Sequence, residues 1–96
     1  MILSEEKLNM KKVILIHCNN KIILNIDLKN NRILDKKYEG RESDLFLMNL
    51  YEKEDDELLK YFENKTGCNG WKELIKIINR NHLNCAIDTL YGEVIN

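Results

Sequence analysis

Apolar positions follow two different rhythms along the chain, and the change falls near Gly40. Before it, Val13 to Cys18 form one apolar run, and Ile22, Leu24, Ile26 and Leu28 alternate with Ile23, Asn25 and Asp27 at the period of a half-buried strand. The pairs Asn19–Asn20 and Asn30–Asn31 mark the reversals, because asparagine tolerates the left-handed backbone that tight turns demand. A third strand from about Arg32 to Tyr38 holds Asp35, Lys36 and Lys37, and is expected at a sheet edge, where charge deters strand-to-strand aggregation.

After Gly40 the spacing becomes helical. Ser43 or Asp44 can cap, Leu47, Leu50, Tyr51, Leu58, Tyr61 and Phe62 share one side, and Gly67 closes the segment. Glu54 falls in the middle of that apolar side, which predicts a break near Glu52 to Glu54 and two helices in place of one. The acidic residues would then favour the positive end of the second helix. Asn69 can cap a further helix from Gly70 to about His82, with Trp71, Leu74, Ile75 and Ile78 on its apolar face. A last strand is expected from Cys85 to Tyr91.

The pattern predicts one α+β domain over residues 1–96: an antiparallel sheet of three to four strands, an N-terminal hairpin or meander plus a C-terminal strand, packed against two to three helices. Met10 followed by Lys11 and Lys12 resembles a second start, so residues 1–9 are read as a loosely ordered extension.

Composition adds limits. With 14 Leu and 12 Ile against two Val and one Ala, the core must be packed from large branched side chains. The 13 Asn and 12 Lys, with no Pro or Gln, reflect A/T-rich codons before they reflect function. The net charge of −1 argues against a dedicated polyanion binder, yet the charge is uneven. Residues 1–42 carry nine Lys/Arg against six Asp/Glu, and residues 43–66 carry three against seven. No run approaches the ~20 apolar residues that span a bilayer, and three cysteines without paired spacing fit free thiols in a reducing, cytoplasmic setting.

Candidate chemistry is confined to His and Cys. A tetrahedral metal site would need Cys68, His82 and Cys85 to meet His17 or Cys18, but the close Cys-x-x-Cys and His-x-x-x-His spacings are missing. Neighbours on a strand also point to opposite faces, which keeps His17 and Cys18 from acting together. In a continued helix His82 falls about 20° from Trp71 and Cys85 about 40° to its other side. The expectation is therefore that His82 and the thiols pack in the core or at its boundary, with no metal and no cofactor. A nucleophilic Cys18 with His82 as base and Asp88 orienting it has the right residue types but no flanking signature. Gly67 and Gly70 in "KTGCNGWK" lack the spacing of a phosphate loop and suit a helix stop and a helix entry.

What remains is surface. Leu45, Phe46 and Met48 cannot all share the buried side with Leu47 and Leu50, and Ile77 strays from its own apolar face. Leftover apolar side chains on a small domain suit a partner, a second copy of the chain included. These four, with Glu54, Asp55, Asp56 and Glu57 steering toward a basic cleft, predict a non-catalytic protein-interaction domain. Its expected role is to inhibit or regulate a larger macromolecule, in the manner of immunity or phage-encoded anti-defence proteins. The runner-up is a nucleic-acid-binding regulator using Lys11, Lys12, Lys36, Lys37, Tyr38 and Arg41, and a metal or thiol site around His82 ranks third.

Overall fold

The computed structural model describes residues 9–40 and 44–95. Three strands come first, β1 (Met10–His17), β2 (Asn20–Asp27) and β3 (Arg32–Glu39). Helices α1 (Leu45–Glu52), α2 (Asp55–Thr66), α3 (Gly70–Asn79) and the single turn α4 (Leu83–Ala86) follow, and β4 (Tyr91–Ile95) ends the described chain. All pairings are antiparallel and the strand order is β3-β2-β1-β4, so the last strand returns to pair with the first. The α+β reading holds, with β3 at an edge as its charges predict. Among the described residues no helix is long and apolar enough to cross a membrane.

Alternation decides which face of the sheet is core. Val13 and Leu15 on β1 stand opposite Leu24 and Ile22 on β2, and all four are buried. Leu47, Leu50, Leu58, Phe62, Trp71 and Leu74 from the helices close over them in one continuous cluster. The Phe62 and Trp71 rings meet edge to face at 6.2 Å, a favoured aromatic geometry.

The helix break predicted near Glu54 is present: Lys53 and Glu54 are extended, and Asp55, Asp56 and Glu57 occupy the first turn of α2. There they oppose the partial positive charge of the helix start. Gly67 ends α2 at φ 76°, a left-handed position that glycine adopts without steric cost.

Four local expectations need correction. The first reversal uses Cys18 and Asn19, with Cys18 at φ 55°, while Asn20 already pairs in β2. Asn69 makes no side-chain cap to α3. Instead Glu63 Oε2 accepts from Gly70 N, and Asn31 Oδ1 accepts from Trp71 N at 3.0 Å. Helix α3 stops at Asn79 rather than His82, because Asn81 turns left-handed at φ 59°. Cys85 lies in α4, and the final strand begins six residues later than expected, at Tyr91. Its register puts Gly92 under α3, where an added Cβ would stand 2.9 Å from Ile78 Cγ2. The apolar residues Ile87 and Leu90 are buried from the connection, which is why that stretch imitates a strand in sequence. The reading of residues 1–9 falls, Asn9 apart, outside the described residues.

Candidate functional site

The second face of the sheet follows from the same alternation. On β1, Lys12, Ile14 and Ile16 point away from the core, opposite Asn25, Ile23 and Lys21 on β2. On β4, Tyr91, Glu93 and Ile95 share this face through their pairing with Ile16, Ile14 and Lys12. On β3, Lys37 joins it opposite Ile23, and a bulge between Asn25 and Ile26 turns Leu34 outward as well. None of these side chains belongs to the core cluster, and every helix among the described residues packs on the opposite side. Ile14, Ile16 and Ile23 are half-buried by one another, while Met10, Leu34, Tyr91 and Ile95 are exposed, Tyr91 at 57%. Lys12, Lys21 and Lys37 border the apolar stripe.

The residues singled out in the sequence are distributed differently. Leu45 is 84% exposed, but Phe46 and Ile77 pack against the core and Met48 is half-buried. Glu54, Asp55, Asp56 and Glu57 are all exposed. Of the basic set, Lys12 and Lys37 lie on the outward face. Lys11 and Tyr38 take the inward phase, opposite Ile26 and Ile22. Lys36 also turns inward, and its Nζ donates to the carbonyls of Tyr51 and Lys53. Arg41 lies outside the described residues.

The His and Cys residues need the largest correction. Cys68 is buried, 6% exposed, and burial pushes its thiol pKa up, outweighing the hydrogen bond with Thr66. Cys18, His82 and Cys85 are exposed and do not serve as packing. His82 sits in the turn after α3, its N–H bonded to Ile77 O. The metal set proposed around it does not assemble. A different one does: donor atoms of His17, Cys18 and Asp44 lie within 4.8 Å of one another.

That cluster is built from two elements. His17 ends β1, and the left-handed backbone at Cys18 cancels the strand alternation that would have separated the two side chains. Asp44 is the N-cap of α1: its Oδ1 accepts from Leu47 N at 3.0 Å, which leaves Oδ2 to accept from His17 Nδ1. The Phe46 ring packs against the imidazole at 4.7 Å between centroids. Burial raises the Asp44 pKa, but the bonds from His17 and Leu47 outweigh it and hold the carboxyl below its ordinary value. The sequence hid this trio, because the Asn19–Asn20 pair drew the reversal one residue away from Cys18 and left Cys18 in the strand, on the face opposite His17.

Comparison with protein-family models, with curated proteins and with solved structures finds no match to this chain.

Proposed function

We propose that the protein is a non-catalytic interaction domain whose working surface is the outward face of the sheet, and that by binding there it regulates a larger protein. One observation carries this reading. Of the five exposed large apolar side chains among the described residues, four, Met10, Leu34, Tyr91 and Ile95, lie on that face around Ile14, Ile16 and Ile23. An apolar centre with a charged rim is the anatomy of a protein interface. The rim carries both signs, with Lys12, Lys21 and Lys37 beside Asp27, Asp35, Glu39 and Glu93, so a partner's rim would match it by mixed charge, which sets register and encounter more than affinity.

Two features favour a protein partner over nucleic acid in this reading. Single-stranded bases need aromatic faces to stack on, and this face offers Tyr91 among aliphatic side chains. Lys36 and Tyr38, two of the six residues in the nucleic-acid reading, are turned inward. The acidic start of α2 has a sufficient role in stabilising its own helix. Three free cysteines are consistent with a reducing, cytoplasmic setting.

The test is a pull-down from host lysate scored for protein and nucleic acid, using three variants. Ile16→Glu with Tyr91→Glu should abolish capture of the protein partner. Asp55→Lys with Asp56→Lys and Glu57→Lys should leave it intact. Retention of nucleic acid that is lost in Lys12→Glu with Lys37→Glu would support the runner-up instead.

A further inference from the structure

We infer that His17, Cys18 and Asp44 form a binding site for a zinc-class divalent metal ion at the β1–β2 turn. The three donors are an imidazole nitrogen, a thiol sulfur and a carboxylate oxygen, each an ordinary zinc ligand. The mixture of thiolate and imidazole selects against magnesium and calcium, which take oxygen donors. Among the described residues this is the one group of three or more such side chains that converges.

Two members of the cluster also serve the fold, and the third does not. Asp44 caps α1, and His17 bonds to the cap while its ring packs at a tilt against Phe46. Neither role involves Cys18. A non-glycine residue at φ 55° in a two-residue turn is sterically disfavoured unless it is Asn or Asp, whose side chains bond locally. Cysteine brings no such bond. What the left-handed backbone does achieve is to place the thiol on the same side as the preceding imidazole, where regular strand geometry would oppose them.

The surroundings resemble a prepared ligand shell. Leu47 N–H holds Oδ1 of Asp44, fixing the direction of Oδ2, and the Phe46 ring limits the swing of the imidazole. Such outer contacts orient metal ligands and raise affinity. Donors around tetrahedral zinc stand about 3.3–3.8 Å apart, given bond lengths of about 2.0–2.3 Å. The present spread of up to 4.8 Å closes by rotation of the exposed Cys18 side chain and a small retreat of the imidazole from Asp44. On binding, the metal takes the place of the proton on His17 Nδ1, which passes to solvent while Nε2 carries the proton of the neutral ring, and the Cys18 thiol likewise releases its proton to solvent. With three protein donors, the remaining position is open to water or to a side chain of a bound partner. The ion would pin the hairpin tip to the start of α1.

The experiment is titration of reduced, untagged full-length protein with Zn2+ by calorimetry and with Co2+ by absorption. One equivalent should bind, with a thiolate-to-cobalt charge-transfer band in the near ultraviolet. Cys18→Ser should remove the band, and Cys18→Ser and His17→Gln should each weaken zinc binding by about tenfold or more. Asp44→Asn, which keeps a good helix cap, should weaken it as well. Cys85→Ser should bind as the unaltered chain does, and zinc should slow alkylation of Cys18 and not of Cys85. Because Cys18 is an exposed turn residue, its serine variant is expected to fold, and circular dichroism confirms that control. Absence of stoichiometric binding, a Cys18→Ser variant that binds normally, or loss of binding in Cys85→Ser would overturn the assignment.

Discussion

The ammonium of Lys36 donates to the carbonyl oxygen of Tyr51 at 2.6 Å, joining the edge strand β3 to the last turn of α1. The same Nζ donates to Lys53 O at 2.8 Å and lies 5.3 Å from the centre of the Tyr51 ring. A cation at a helix C-terminus satisfies carbonyls that the helix itself leaves unpaired and opposes their partial negative charge. Lys36→Met keeps the stem but removes both bonds, and should cost about 1.5–3 kcal/mol in urea denaturation. Lys37→Met, whose ammonium is exposed near Glu39 at 3.8 Å, should be nearly neutral.

Gly92→Ala tests how closely α3 rests on β4. The new methyl would stand 2.9 Å from Ile78 Cγ2 and 3.1 Å from Leu83 Cδ2, so the helix must lift or Ile78 must leave its rotamer. Overpacking of this kind costs about 1–3 kcal/mol. The melting temperature should fall by several degrees while the circular dichroism spectrum keeps its shape.

Tyr38→Phe should move stability the other way. Its hydroxyl oxygen is buried with no hydrogen-bond partner among the described residues, although the ring meets Tyr51 edge to face at 5.7 Å. Removing an unsatisfied polar atom while keeping the ring should leave stability unchanged or raise it by up to about 1 kcal/mol. A clear loss in denaturant midpoint would mean that the hydroxyl is bonded.

The buried Cys68 thiol predicts a pH effect. Burial raises its pKa in the folded state, so that state keeps the proton where the unfolded chain has begun to lose it, above about pH 8.5. The stabilising contribution is complete below that ordinary value and is lost as pH rises toward the folded value. Denaturation midpoints should decline above about pH 8.5 more steeply in the unaltered chain than in Cys68→Ala, which is less stable at neutral pH. Iodoacetamide should modify Cys18 and Cys85 in the native protein and reach Cys68 only on unfolding.

Much of the fold was legible because alternation and helical spacing are local signals. Ile22, Leu24 and Ile26 announced β2, Glu54 announced the break between α1 and α2, and Gly67 announced the end of α2. What escaped depends on contacts between distant residues. Nothing near Asn31 says that it caps α3, 40 positions away. Nor does the apolar text around Ile87 and Leu90 say that it packs from a loop, leaving strand pairing to Tyr91 through Ile95. The site was harder for the same reason. His17 and Cys18 read as opposed until the left-handed turn is known, and Asp44 reads only as a cap. The outward apolar stripe draws three residues from β1, two from β4 and one each from β2 and β3, so no single window of sequence displays it.

The central claim is that the sheet face, and not the exposed end of α1, meets the partner. A photoreactive benzophenone amino acid placed at position 91 in one protein and at position 45 in another compares the two exposed apolar positions directly. Irradiation in host lysate should join a discrete protein to the chain from position 91 and not from position 45. Joining from position 45 alone, or to nucleic acid from position 91, would contradict it.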